Sequence, residues 1–162
     1  MTVVVADSSP LNYLTLIGSI EVLRRLYGSI IVPRQVIAEL TDLASPSEVR
    51  EWSLDPPRWV DVRVALASDS SLLHLDPGER AALVLAQSES DALLLIDDAA
   101  GRLEASRRGI AHTGTLGVLR AASVKNLVDL PTALSRLLKT NFRVPPELVS
   151  EMIAEDAERR RT

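Results

Sequence analysis

A chain of 162 residues with a formal net charge of −4 can bury one substantial core and is too acidic for a generic electrostatic nucleic-acid binder, which leaves only a local basic patch for that role. It has no cysteine, which excludes disulfides and thiolate metal sites. Two Trp, two Tyr and one Phe are too few for base stacking to dominate binding, and with no apolar run of membrane-span length and no signal-like start the expectation is a soluble cytoplasmic protein without a membrane partner.

Val3-Val4-Val5-Ala6 reads as a first buried strand, ending in Asp7. Ser8-Ser9-Pro10 turns the chain into a helix carrying Leu11, Leu14, Leu16 and Ile17. Gly18 interrupts it, and Ile20, Val22, Leu23 and Leu26 form a second stripe closed by Gly28. A second strand covers 29–32, and Pro33 suits the first turn of a helix carrying Val36, Ile37, Leu40 and Leu43. A polar helix opens at Ser45-Pro46-Ser47 and is broken by Asp55-Pro56-Pro57. Val60, Val62 and Val64 alternate with Asp61 and Arg63, as a half-buried edge strand does. The serine-rich stretch 67–75 is a loop or short helix.

Asp76-Pro77-Gly78-Glu79 then starts the most helical segment, 80–88. Leu93-Leu94-Leu95-Ile96 is an uninterrupted aliphatic run that suits a strand buried on both faces, and it leads straight into Asp97-Asp98. A helix over 99–108 ends at Gly109, a short strand covers 110–113, and Gly114-Thr115 leads into a helix over 116–122. The remainder is helical: 130–138, then 146–158 with Leu148, Val149, Met152 and Ile153 on one side, and finally a frayed tail of arginines. Strands alternating with helices imply right-handed crossovers and a mainly parallel sheet, hence a three-layer α/β domain.

Two strands, the first and the fourth, end in Asp. If they are neighbours with the strand order reversing between them, Asp7 and Asp97-Asp98 face one crevice, where open α/β sheets bind ligands. Asp98 is equally placed to cap the following helix. Glu39 falls on the flank of its helix stripe, where it either reaches the shared crevice or meets solvent. Glu79 has capping-box spacing from Asp76, which puts it at a helix start whether or not it also serves a site.

Clustered carboxylates repel one another unless a cation neutralises them, and a set of oxygens alone selects hard ions such as Mg²⁺ or Mn²⁺. Such ions bind phosphate oxygens and lower the pKa of a bound water, which makes an acidic cluster a sensible phosphodiesterase site. His74 and His112 are far apart without partners, so zinc is a poor candidate and each reads as a surface or packing residue.

Five segments in order resemble the PIN-domain nucleases, in particular a branch related to VapC-type toxins. They are Val5-Ala6-Asp7-Ser8-Ser9-Pro10-Leu11, Val32-Pro33-Arg34-Gln35-Val36-Ile37-Ala38-Glu39-Leu40, Gly78-Glu79-Arg80-Ala81-Ala82, Leu95-Ile96-Asp97-Asp98-Ala99-Ala100-Gly101-Arg102 and Gly114-Thr115-Leu116-Gly117-Val118-Leu119. The resemblance implies an α/β/α domain with a central five-stranded parallel sheet in the order 3-2-1-4-5, so that the first and fourth strands are neighbours. It carries the family's acids onto Asp7, Glu39, Glu79 and Asp98, with Asp97 an additional ligand or a support. The fourth-strand motif departs from the family's Thr-x-Asp, since Ile96 replaces the Thr, and Glu79 stands where many toxins have Asp.

The resemblance further implies Mg²⁺- or Mn²⁺-dependent cleavage of single-stranded RNA, commonly by a homodimer, with an antitoxin protein as a possible partner. The nuclease domain is expected over 1–143, with 144–162 a C-terminal helix and basic tail. Thr113 and Thr115 flank Gly114 before a helix, where hydroxyls and backbone N–H groups can meet a phosphate, and Arg102, Arg107 and Arg108 are candidates for the RNA backbone. Two other classes compete. A catalytically silent PIN-like module would bind RNA or protein, with the stripe around Met152 as a docking surface. A phosphotransfer enzyme with Asp7 as nucleophile ranks last, because such enzymes carry a second Asp two residues on, where this chain has Ser9.

Overall fold

Short aliphatic runs bounded by turn residues become strands of one sheet. The computed structural model describes residues 1–66 and 69–162; of the serine-rich stretch, Ala67 and Ser68 lie outside the described residues, and a single 3₁₀ turn, Ser70–Leu72, buries Leu72. The strands are β1 (Val3–Ala6), β2 (Ile30–Pro33), β3 (Val60–Arg63), β4 (Ala92–Leu95) and β5 (Ala111–Thr113). All pair in parallel, in the order β3-β2-β1-β4-β5, as the resemblance implies. The order reverses at β1, which places the C-terminal ends of β1 and β4 side by side, with Ala6 opposite Leu95.

The two faces of the sheet carry separate cores, and the period of two along a strand decides which residue enters which. Val4 and Ala6 of β1 and Leu95 of β4 face a layer that includes α1 (Ser8–Leu16), α2 (Val22–Tyr27) and α7 (Thr115–Val124), backed by α8 (Leu130–Leu138). Val5, Leu94 and Ile96 face the other layer, formed by α5 (Pro77–Gln87) and α6 (Ala99–Arg107). Between them, α3 (Arg34–Thr41) runs from the end of β2 into contact with α5, and α4 (Ser47–Leu54) packs on α1 and α3.

Several local readings change in physical detail. Pro33 closes β2 instead of opening the helix. Leu43 is not on the α3 stripe: the helix ends at Thr41, the Asp42 side chain accepts the Ala44 N–H at 2.9 Å, and that local turn throws Leu43 into solvent. In the edge strand β3 only Val60 is buried; Val62 is exposed, and so is Val64, which lies just past the end of the strand. The chain after Pro145 forms α9 (Pro146–Arg161), which continues through the arginines read as frayed. Its Met152 enters the α1/α7 core, and its buried Asp156 accepts Arg160 Nε at 3.0 Å. Among the described residues no helix is long and apolar enough to cross a membrane.

Candidate active site

The β1–β4 ladder continues one step past the assigned strands. The Asp7 N–H donates to the Leu95 carbonyl at 2.9 Å, which sets Asp7 level with Ile96. Parity then fixes where the acids point. Asp7 shares its parity with Val5, Leu94 and Ile96 and belongs to the α5/α6 face. Asp97, one residue beyond Ile96, belongs to the opposite face.

Asp97 is accordingly tied to α1 and α7. Its Oδ1 accepts the Thr115 N–H and its Oδ2 accepts both the Thr115 and Ser9 hydroxyls, each at 2.7 Å. These bonds clip the end of β4 to the first turns of both helices. Thr115 is fully buried with its two donors committed to Asp97, so it does not offer them to a phosphate as the sequence suggests.

The α5/α6 face gathers the other acids around the first turn of α5. Asp76 caps that helix, its Oδ1 accepting the Glu79 N–H at 2.8 Å, and Glu79 is buried. Glu39 reaches across from α3, its Oε1 accepting the Gly78 N–H at 3.0 Å. A Cβ on Gly78 would collide with that carboxylate, so the glycine lets Glu39 approach the helix start. Glu79 Oε2 comes close to Gly101 in the first turn of α6. Asp98 caps α6, its Oδ2 accepting the Gly101 N–H at 2.9 Å, on a residue otherwise exposed. Both roles considered for Asp98 therefore remain chemically open, since the cap uses one of its two oxygens.

Burial and mutual repulsion act on this set. Asp7 is 3% exposed, and its Oδ1 has no hydrogen-bond partner. Desolvation pushes its pKa up to about 7, with the charges of Asp76, Glu39 and Asp97 adding to the rise and the Ser8 N–H opposing it. Glu79 is raised by burial first, then by its contact with Asp76 and the charges of Asp76, Asp98 and Asp7. Glu39 is raised by burial, against the Ser8 side chain and the Gly78 N–H. Asp76 is a cap and also a member of this set, and its place three residues before Glu79 is the sequence signal for it.

Among the described residues no group of three acidic or histidine side chains is arranged to hold a metal ion as it stands. The chemistry of the set nevertheless fits a hard divalent cation. Its donors are all carboxylate oxygens, one of them is buried without a partner, and the raised pKa values record burial first and mutual repulsion second, both of which a bound cation would offset. Histidine plays no part: His74 lies 4.0 Å from Glu104, and His112 Nε2 meets the Ser106 hydroxyl at 2.9 Å.

The basic residues divide. Arg107 and Arg108 both pair with Glu104, and Arg108 also binds Asp69 at 2.8 Å, so Arg108 is engaged within the fold while Arg107 makes one exposed helix-surface pair. Arg102 instead lines a groove beside Asp97. A smaller hollow of ≈ 250 Å³ lies between α1 and α3, lined by Ser8, Ser9, Asn12, Tyr13 and Glu39.

Comparison with known proteins agrees with this geometry. Residues 3–158 match the family model described as DUF3368: PIN domain. No curated protein and no solved structure gives a significant match. PIN domains are generally nucleases and typically use divalent metals. With nearly its whole length matched and the sheet order in place, the chain belongs to the PIN-domain family.

Proposed function

We propose that this chain is a Mg²⁺- or Mn²⁺-dependent endoribonuclease that cleaves single-stranded RNA, acting as the toxin of a toxin–antitoxin pair. The observation that carries the reading is Asp7, a buried carboxylate with an unpartnered oxygen, at the switch point of the sheet among Glu39, Asp76 and Glu79. A buried acid is costly in that position unless something compensates it. The likeness of its motifs to VapC-type toxins supports the toxin role, a homodimeric form and a cytoplasmic site of action.

Asp7 and Asp98 would anchor the ion, with Glu39 and Glu79 holding it directly or through water. When bound, a divalent ion stabilises charge on the phosphate and supplies an activated water for in-line attack. The chain's own residues set the stage for that chemistry. The Gly78 N–H orients Glu39, the Asp76 cap fixes the turn that carries Glu79, and the Gly101 N–H holds one oxygen of Asp98. Asp97 supports from the opposite face by holding β4, α1 and α7 together.

A catalytically silent binding module is the second reading, favoured by the absence, among the described residues, of side chains already closed around an ion site. Incubation of single-stranded RNA with the protein and Mn²⁺ or Mg²⁺ separates the two. Cleavage that EDTA and Asp7→Asn each abolish supports the nuclease. Cleavage that survives both overturns the mechanism, and no cleavage together with tight RNA or protein binding favours the silent module.

A further inference from the structure

A groove of ≈ 460 Å³ opens beside Asp97, between the start of α6, the β5–α7 turn and the segment entering α9. Arg102, Thr113, Gly117, Phe142, Arg143 and Leu148 line it. Its volume is that of a small-molecule site. Glycines let its lining pack closely, because a Cβ at Gly114 would stand 2.6 Å from Asp97 Oδ1 and one at Gly117 would strike the Thr113 hydroxyl.

The charge in the groove is positive. Among the described residues neither Arg102 nor Arg143 has a carboxylate within ion-pair distance, whereas Arg107, Arg108, Arg120, Arg159 and Arg160 all do. The carboxylate in the lining, Asp97, has its oxygens taken up by three donors, and its one negative charge stands against two guanidinium groups. The same lining includes apolar side chains. Phe142, partly buried, is held edge-on to Tyr13 with ring centroids 4.9 Å apart, and Leu148 lies beside it. Tyr13 in turn lines the hollow that contains Glu39, so one aromatic pair links this groove to the acidic rim. Two guanidinium groups, an aromatic ring and an aliphatic side chain lining one groove are the kinds of group that a phosphate attached to a flat, unstacked base needs.

We propose that this groove seats one nucleotide of single-stranded RNA next to the cleaved phosphodiester, its phosphate between Arg102 and Arg143 and its base against Phe142 and Leu148. The identity of the strand rests on the ribonuclease reading; the subsite rests on the groove. Because the base must be unstacked to enter, the groove selects single strands over duplex.

The test is equilibrium binding of a fluorescein-labelled single-stranded RNA decamer in EDTA, read by anisotropy across a KCl series. Arg102→Ala and Arg143→Ala, both exposed and free of structural pairing, each weaken binding roughly tenfold. Each also lowers the slope of log affinity against log salt by about 0.7, the value for one phosphate of a single strand. Phe142→Leu weakens binding with the slope unchanged, Lys125→Ala at the far end of α7 alters neither, and a blunt RNA duplex binds at least about tenfold more weakly. Wild-type affinity and slope in both arginine variants, or equal binding of duplex, overturns the subsite while metal-dependent cleavage still stands. A wild-type protein that neither binds the decamer nor cleaves RNA with Mn²⁺ overturns the subsite and the ribonuclease reading together.

Discussion

Thr115 holds both oxygens of Asp97, through its backbone N–H to Oδ1 and its hydroxyl to Oδ2, each at 2.7 Å, and Ser9 adds a third donor to Oδ2. A carboxylate so completely used is a joint between elements. Hydrogen bonds to a charged group contribute about 1.5–3 kcal/mol each before the cost of burial. Asp97→Ala therefore lowers stability by about 2–4 kcal/mol in urea denaturation. Asp97→Asn, which keeps one acceptor oxygen and allows the hydroxyls to rotate, costs about 1 kcal/mol. Its Mn²⁺ affinity by titration calorimetry stays within about threefold of wild type, an effect of ordinary surface size, while Asp7→Asn loses most of its affinity. Equal losses in the two would make Asp97 a ligand and end its assignment as a support.

The buried Asp7 gives the metal-free protein an inverted pH response. Its carboxyl is raised to about 7 by burial and by neighbouring acids, so between its ordinary range and neutrality the folded state binds more protons than the unfolded one. The contribution is fully present below about pH 4 and lost as pH rises through 7, at most about 4 kcal/mol. In EDTA the melting temperature falls between pH 5 and pH 8, and Asp7→Asn flattens that fall, leaving the residual slope due to Glu79 and Glu39. Millimolar Mg²⁺ raises the melting temperature more at pH 8 than at pH 5, because the ion competes with protons for the same oxygens. A wild-type profile parallel to that of Asp7→Asn would show that Asp7 does not titrate in this way.

Gly78 tests whether the position of Glu39 matters. Alanine there is compatible with the first turn of α5 and gains a few tenths of a kcal/mol in helix propensity, yet its Cβ collides with the Glu39 carboxylate and drives it away from the Gly78 N–H. The expected outcome is an unchanged or slightly higher melting temperature with RNA cleavage reduced about tenfold, the scale of one displaced charge-assisted contact. Full activity in Gly78→Ala would remove Glu39 from the reaction.

The strands and the acids were legible because both follow from local pattern. The aliphatic runs 3–6 and 93–96 allow little but buried strands, and acids at their ends must lie at the rim. The parity of Asp97 was also present in the sequence, one step from Ile96, but it acquires meaning only once α5 is known to cover the Val5, Leu94 and Ile96 face. The fate of Arg108 was only half legible: Glu104 stands four residues before it on the same helix, but Asp69, its other partner, is 39 positions away and nothing in the spacing announces that contact. The exposure of Leu43 turned on one local bond from Asp42, which competes with a stripe that otherwise reads as helix.

Asp98 is the position where a cap and a ligand can be told apart by two substitutions. Its Oδ2 accepts the Gly101 N–H at 2.9 Å, a role asparagine fills about as well as aspartate. Asp98→Asn therefore keeps the cap and stays within about 0.5 kcal/mol of wild-type stability, while losing the charge that acts on Glu79 and any charge available to an ion. Asp98→Ala loses both and costs about 1 kcal/mol. If Asp98 is a ligand, the two variants share one loss of Mn²⁺ affinity and of cleavage, although their melting temperatures differ. If it is only a cap, activity follows stability: Asp98→Asn cleaves like wild type and Asp98→Ala is reduced only near its melting transition.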